Sequence, residues 1–198
     1  MTMKDSPGII LASASPRRQQ LLSILRLHFE VIPADVDETP LPGETPREHV
    51  ARLSRAKAMV VAAKEQDRWI IAADTIVFLD GEILGKPVDA GESCRMLRKL
   101  SGREHTVMTG VFIVHPSKEQ SFGTVVESFV KIKELSDAEI SGYIATGEPF
   151  DKAGAYAIQG IGMFMVEKVR GSYTNVIGLP MCELVNALRQ VGAIRFME

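Results

Sequence analysis

The stretch Trp69–Leu79 constrains this chain more than any other. It reads Trp-Ile-Ile-Ala-Ala-Asp-Thr-Ile-Val-Phe-Leu, almost without a polar break, and reads as a buried strand. Asp80-Gly81 then gives a strong hairpin signal, with Glu82-Ile83-Leu84 as the return strand. Asp74 stands in the middle of the apolar run. A carboxylate there is costly unless it is partnered. Two readings follow. Asp74 is a structural group bonded to nearby backbone, or it faces a cleft as a base or metal ligand tuned by its surroundings.

Around this run the chain alternates strand and helix. Ile9-Ile10-Leu11-Ala12 and Phe29-Glu30-Val31-Ile32 read as strands, and Leu21, Leu22 and Leu25 fall at helical spacing between them. Thr45-Pro46-Arg47-Glu48 is a capping box that opens a helix to about Lys64, with Val50, Leu53, Val60 and Val61 inward. Asp89 and Glu92 predict a second box and a helix to Leu100, with Cys94, Leu97 and Leu100 inward. Residues 106–114 and 125–133 read as strands. Ser136 and Glu139 form a third box, and Gly147 closes its helix. Residues 163–169 read as a strand and 171–175 as a turn. Pro180 opens a last helix with Cys182, Leu184, Val185 and Leu188 inward. The alternation predicts an α/β fold, and the central hairpins make its sheet mixed. With no repeat or linker, residues 1–198 are expected to form a single domain.

Composition excludes several classes. The net charge is −2 and 45% of residues are hydrophobic, so no global basic field marks a nucleic-acid binder. No apolar run reaches the ~18–20 residues of a membrane span. The polar start of the chain shows no signal peptide. Cys94 and Cys182 are the two cysteines, which fits a reducing, cytoplasmic compartment, and both are expected in the core. The four histidines show no metal-ligand spacing.

Four stretches carry chemistry. Ser13-Ala14-Ser15-Pro16-Arg17-Arg18 is a strand-to-helix turn, with Ser15 as the expected N-cap and Pro16 at the first helical position. Free amides and a helix dipole there favour an anion. Two arginines in the first turn oppose the dipole unless an anion joins them, and Arg grips phosphate with paired bonds. The stretch is a polyphosphate cradle or an ordinary turn with solvated arginines. The second stretch, Asp35-Val36-Asp37-Glu38, crowds three carboxylates into a solvated loop or a site for a hard cation such as Mg²⁺ or Mn²⁺. Lys57 falls on the inward stripe of its helix, either snorkelling out or paired with a phosphate. Lys86 ends the return strand. Finally, residues 148–162 hold several glycines and small residues, which implies close backbone approach.

Taken together, Leu11 to Arg18, Val36-Asp37-Glu38, Lys57, Ala73 to Val77, Gly85-Lys86-Pro87, Ser101-Gly102-Arg103, residues 147–160, Gly171-Ser172-Tyr173 and Gly178-Leu179-Pro180 resemble the Maf family of nucleoside triphosphate pyrophosphatases. The resemblance covers nearly the whole chain. It implies a mixed α/β fold in two lobes around a central cleft, similar to the inosine triphosphate pyrophosphatase fold. The implied activity is hydrolysis of a nucleoside triphosphate to the monophosphate and pyrophosphate with a divalent cation, Mg²⁺ or Mn²⁺, in a homodimer.

By resemblance, Asp74 matches the catalytic proton acceptor. Arg17, Thr75 and Gln159 match positions tied to base specificity, and Ser13, Arg18, Glu38, Lys57 and Lys86 match polar residues of the cleft. Asp-Lys-Ala-Gly-Ala-Tyr with the following Gln-Gly, at Asp151 to Gly160, is similar to the branch acting on dTTP and UTP. Ala14 departs from the glycine common in relatives. On this reading Arg18, Lys57, Lys86 and the turn amides take the phosphate chain, and Arg17 reaches toward the base. Glu38 with Asp74 holds the metal. The Gln159 amide reads the imide edge shared by uracil and thymine. Modified pyrimidine nucleotides are plausible physiological substrates. The competing reading is a non-catalytic nucleotide-binding regulator of septum formation, and Asp74 argues against it, because phosphate binding gains nothing from another carboxylate.

Overall fold

A computed structural model describes residues 8–195. The polar leader, on which the expectation of no signal peptide rests, lies outside them up to residue 7. Seven strands, β1 (Ile9–Leu11), β2 (Phe29–Val31), β3 (Trp69–Leu79), β4 (Glu82–Leu84), β5 (Glu104–His115), β6 (Gln120–Ile132) and β7 (Val166–Arg170), are hydrogen-bonded in one sheet in the order β2-β1-β3-β5-β6-β7, with β4 pairing β3. The described chain divides into two compact units. One comprises residues 8–74, Thr109–Val126 and 178–195; the other comprises Thr75–Met108 and Glu127–Ile177. The sheet is mixed, as the hairpin signals require.

In the first unit β1 (Ile9–Leu11) runs parallel to β2 (Phe29–Val31) and to β3 (Trp69–Leu79), with Ile9 opposite both Phe29 and Trp69. Strands buried on both faces read as continuous apolar runs, and Ile9 through Ala12 and Trp69 through Ala73 are all buried. Helix α1 (Pro16–Ile24) follows β1 and buries Leu21 and Leu22. Ser15 is its N-cap residue, yet its side chain makes no capping bond. Helix α2 (Pro46–Ala62) starts at Thr45 with both halves of the capping box formed. It stops two residues short of Lys64, and Val60 is exposed. Val50, Leu53 and Val61 are buried as expected, and the buried arc continues through Ser54, Ala58 and Ala62, whose small side chains let the helix settle close to the sheet. Helix α6 (Met181–Gln190) buries Leu184, Ala187 and Leu188. Cys182 is exposed and Val185 half-buried. Two residues turn a helix by about 200°, so Cys182 faces away from Leu184 and is not a core residue.

The second unit has its own core. Val77, Leu79, Leu84, Leu97, Leu100, Val130, Ile132, Ile140, Tyr143 and Met165 pack together. Here β4 (Glu82–Leu84) returns antiparallel to β3, Val77 opposite Leu84. Helix α3 (Ala90–Leu100) is capped by Asp89, which accepts from the Glu92 N–H. The Glu92 carboxylate does not complete the expected box on Asp89; it accepts from the Val88 N–H, one residue earlier. Cys94 is only half-buried. Strands β5 (Glu104–His115) and β6 (Gln120–Ile132) are longer than expected, because only a short 3₁₀ turn at Pro116–Lys118 separates them. Helix α4 (Asp137–Ala145) has its full capping box and ends before Gly147.

The expected strand 163–169 is only half strand. Residues Ile161–Met165 form a 3₁₀ turn, and β7 (Val166–Arg170) pairs antiparallel with β6 from there. The expected turn 171–175 begins a short helix, α5 (Tyr173–Ile177), because the Ser172 hydroxyl accepts the Asn175 N–H and winds the chain.

Close packing of α2 on β5 generates a prediction. A Cβ at Gly110 would lie 2.2 Å from the Val50 carbonyl oxygen. Gly110→Ala is expected to destabilise by about 3 kcal/mol. Gly142→Ala, on α4 with nothing within 4 Å, is expected to stabilise by ~0.5–1 kcal/mol. Urea unfolding midpoints measure both, and a wild-type midpoint for Gly110→Ala would contradict the packing.

Candidate active site

The turn after β1 is held from within. The Ala12 N–H extends the β1–β3 pairing by donating to Ile71 O at 2.8 Å. Ser13 is buried, and its hydroxyl oxygen accepts from the Ser15 N–H at 3.3 Å and from Arg18 Nη1 at 3.2 Å. With no side-chain cap from Ser15, the helix start rests on backbone geometry and Pro16. Arg18 Nε donates to the Gly178 carbonyl at 2.8 Å. Arg18 is therefore a fixed guanidinium rather than a solvated one. Burial lowers its pKa from the ordinary value; Asp74 opposes this, Arg17 adds to it and Glu38 opposes it. The four charged groups share one electrostatic neighbourhood.

At its centre is Lys57. It projects from the inward face of α2, and its ammonium lies 2.6 Å from Glu38 Oε1 and 2.6 Å from Asp74 Oδ1. The Lys57 side chain is 11% exposed and that of Asp74 is 9% exposed. Lys57 does not snorkel. Asp74 is answered by a side chain, so its position in a buried strand is resolved by an ion pair. Glu38, 54% exposed at its side chain, comes in from the acidic loop. Asp35 and Asp37 stay exposed, and Asp37 accepts from the Thr39 N–H.

A second ion pair tethers that loop. The Glu44 carboxylate accepts from Arg52 Nε at 2.5 Å and Nη2 at 2.9 Å, and from the Leu41 N–H at 3.1 Å. His49 Nδ1 lies 2.9 Å from it, and Arg52 Nη2 also donates to Thr39 O. The chain that follows Glu38 is thus tied to α2 at Thr39 and again at Glu44. The Glu44–Arg52 tether matches no motif in the sequence; its signal is an acidic residue just before a capping box and an arginine two turns into the helix.

Two carboxylate oxygens that converge on one cationic point are a donor set suited to a hard divalent ion. Mg²⁺ takes one or two carboxylates and completes its shell with phosphate oxygens and water. Among the described residues no three His, Cys, Asp or Glu gather as a metal set. Glu38 and Asp74 fit such an ion as a pair, with the remaining ligands supplied from outside the chain.

The other sequence-derived residues belong to the second unit. Thr75 follows Asp74 on β3 and is half-buried, Lys86 is exposed in the loop after β4, and Gln159 is half-buried within residues 148–162. The close approach expected of that stretch is present. The Gly154 N–H donates to Gly85 O at 3.0 Å, beside Lys86, and a Cβ on Gly154 would lie 3.0 Å from the Val77 methyls.

A family model described as Maf-like protein matches residues 8–191. The chain belongs to this family. A dTTP/UTP pyrophosphatase of Geotalea uraniireducens (strain Rf4) is 55% identical over 192 residues, covering 97% of this chain and 99% of its own. The dTTP/UTP pyrophosphatase of Geobacter sulfurreducens (strain ATCC 51573 / DSM 12127 / PCA) is 52% identical over 186 residues, covering 94% of this chain and 97% of its own. The solved Ham1 protein of Staphylococcus aureus aligns with a TM-score of 0.47 at 18% identity, covering 80% of this chain and 79% of that one. Among the described residues of this Maf-like chain no helix is long and apolar enough to cross a membrane.

The tether has a pH signature. The hydrogen bonds from Arg52, with those of Leu41 and His49, outweigh burial and hold the Glu44 carboxyl down at about 2. A folded-state pKa below the unfolded one contributes stability that is complete above the unfolded value and is lost as pH falls through the folded value. Glu44→Gln is therefore expected to lower stability near neutrality and to flatten the loss of stability between about pH 4.5 and 2. Glu139, also held at about 2 by Lys133, titrates in the same window in both proteins. The readout is thus the difference between the two urea midpoints across pH, and parallel curves would rule the tether out.

Proposed function

We propose that this protein hydrolyses dTTP and UTP to the monophosphate and pyrophosphate. The observation that carries the reading is the buried Lys57 ammonium joined to Glu38 and Asp74, in the electrostatic neighbourhood of the fixed Arg18. A non-catalytic nucleotide binder has no use for two carboxylates where a polyphosphate must lie. The relatives named above, at 52% and 55% identity, carry this activity in their names.

The reaction breaks the bond between the α-phosphorus and the oxygen bridging to the β-phosphorus. Water adds to the α-phosphorus, its proton passes to the Asp74 carboxylate, and pyrophosphate leaves. Catalysis of this kind rests on positioning and on stabilising the developing charge. Arg18 is preset for that by its bonds to Ser13 and Gly178. Lys57 offsets one of the two carboxylates and Arg17 and Arg18 add further positive charge, so an incoming polyanion is not repelled, and the Lys57 ammonium is available to phosphate oxygens. Ser13 orients Arg18. Lys86 is assigned to the phosphate chain, and Arg17, Thr75 and Gln159 to the base. Glu38 and Asp74 would hold a divalent cation, Mg²⁺ or Mn²⁺, which when bound supplies charge neutralisation at the phosphate oxygens. The same reading takes residues 1–198 as one domain, acting as a homodimer in the cytoplasm.

Asp74→Asn is expected to lower kcat by ~10²–10⁴-fold while the thermal melt stays cooperative. The assay measures pyrophosphate and orthophosphate separately, with Mg²⁺ or Mn²⁺ and a panel of nucleoside triphosphates. Pyrophosphate from dTTP and UTP that the variant fails to release supports reaction and base together, and near-wild-type turnover by the variant removes Asp74 from the role. Gln159→Ala is expected to flatten the ranking of UTP over CTP more than it lowers turnover, and an unchanged ranking would reject its assignment.

A further inference from the structure

The 148–162 segment of the second unit is fixed at its upstream and downstream sides by different means. Upstream of Gln159, residues Ala155 through Ile158 are buried, and the Tyr156 hydroxyl lies 2.7 Å from His105 Nε2. Burial pushes His105 down to about 4, so at neutral pH this is a hydrogen bond between neutral groups. Downstream, the backbone turns sharply at Gly160, with φ +76°, and enters the 3₁₀ turn at Ile161. There a single carboxylate gathers the chain. Glu148 Oε2 accepts from the Ile161 N–H at 2.9 Å, and Oε1 accepts from the Gly162 N–H at 2.9 Å and from the Tyr143 hydroxyl at 2.9 Å.

Glu148 itself is held in place. It begins a 3₁₀ turn after α4, its N–H donates to the Thr146 hydroxyl, and its carbonyl accepts from Lys152 Nζ. The fit at Gly160 is tight: a Cβ there would lie 2.6 Å from Glu148 Oε2. At Gly162 a Cβ would lie 2.7 Å from the Tyr143 hydroxyl oxygen. Burial raises the Glu148 pKa, but the N–H groups of Gly162 and Ile161, the Tyr143 hydroxyl and Lys152 outweigh it, and the net direction is down. The group that gathers these donors is therefore a carboxylate at neutral pH. It has two acceptor oxygens for three donors, a match that an amide lacks.

We propose that Glu148 is a positioning residue for base recognition: its carboxylate clamps the backbone just after Gln159, so that the Gln159 amide is presented to the pyrimidine in one orientation. The inference rests on the reading of Gln159 as the base-contacting residue. Residues 155–158 on one side and the Glu148 clamp on the other leave Gln159 as the half-buried residue between two fixed points. A displacement of about 1 Å in a positioned group can cost ~10²-fold, so a clamp two residues from the reader governs discrimination without touching the substrate.

The test compares wild type with Glu148→Gln, Gly160→Ala, Tyr143→Phe, Gln159→Ala and the Glu148→Gln/Gln159→Ala double variant. Steady-state kcat and KM are measured for UTP, dTTP and CTP, and the affinities for UMP and CMP by calorimetry. Glu148→Gln puts an NH₂ against backbone donors, and Gly160→Ala drives a methyl into the carboxylate. Both are expected to lower the UTP-to-CTP ratio of kcat/KM by roughly tenfold or more, chiefly through KM for UTP, as loss of uniform binding does. The UMP-to-CMP affinity ratio should fall in parallel. Tyr143→Phe removes one donor and should fall between them and wild type. The double variant should discriminate no worse than the worse single variant, since both act on one element.

A Glu148→Gln enzyme with the wild-type ratio overturns the proposal, and so does an equal loss on UTP and CTP, which is the mark of a merely structural carboxylate. If Glu148→Gln does not fold, Gly160→Ala and Tyr143→Phe decide by the same ratios. A Gln159→Ala variant with unchanged ranking, or a wild type that releases no pyrophosphate from dTTP or UTP, overturns the underlying reading and this one with it. Loss of ranking in Gln159→Ala but not in the Glu148 or Gly160 variants overturns this one alone.

Discussion

The Lys57 ammonium, shut into the inward face of a helix between two carboxylates, is the interaction on which the candidate site depends. Removing one partner from such a buried pair typically costs ~3–5 kcal/mol, because it strands a charge. Lys57 thus fixes where the Asp74 carboxylate points and draws Glu38 inward from a loop that is otherwise exposed. With Arg17 and Arg18 nearby, three cations face two carboxylates. The neighbourhood is net positive although the chain as a whole carries −2, so attraction of a polyanion is a local property. Such pairs seldom add stability over apolar packing, and the arrangement is better understood as chemistry that the fold accommodates.

Accommodation explains the layout of the first unit. The helix bearing Lys57 rests close on the sheet through Ser54, Ala58 and Ala62, and Gly110 admits the Val50 carbonyl. A larger residue at any of these would lift the helix and move the ammonium away from Asp74. The loop bearing Glu38 cannot be buried, so it is tethered, with Arg52 reaching both Glu44 and the Thr39 carbonyl. Packing places the lysine and hydrogen bonds place its partner.

Much of this was legible in the sequence, for reasons that differ by element. Trp69–Leu79 announced itself because a strand buried on both faces has no polar alternation to lose. The boxes at Thr45 and Ser136 formed from partners within three residues, whereas at Asp89 the same spacing gave one half, because the Val88 N–H takes the Glu92 carboxylate. The misread boundaries were decided at longer range. Residues 163–165 have strand-like composition, but Glu148 captures the N–H groups of Ile161 and Gly162 and winds the chain before β7 can begin. Val60 and Cys182 are apolar residues outside the buried arcs of their helices, and those arcs also take in small residues, Ser54, Ala58 and Ala62 on α2 and Ala187 on α6, that a hydrophobic count passes over. Within the site, Lys57 and Asp74 each stand out in the sequence by their conflict with burial. Their mutual pairing was not read from the sequence, and neither was the carbonyl of Gly178 as a partner for Arg18, because nothing local points across such separations.

That last contact sets an order of events in biosynthesis. Arg18 emerges from the ribosome first, and the carbonyl that orients its guanidinium follows 160 residues later. Strands β1 and β2 and the helix α1 between them can form while translation continues, since domains are built from the N-terminus as they appear. Arg18 cannot take its final pose until the stretch before α6 has been made. A chain stalled before Gly178 would therefore carry the Arg17-Arg18 motif without the geometry that the Gly178 carbonyl gives it.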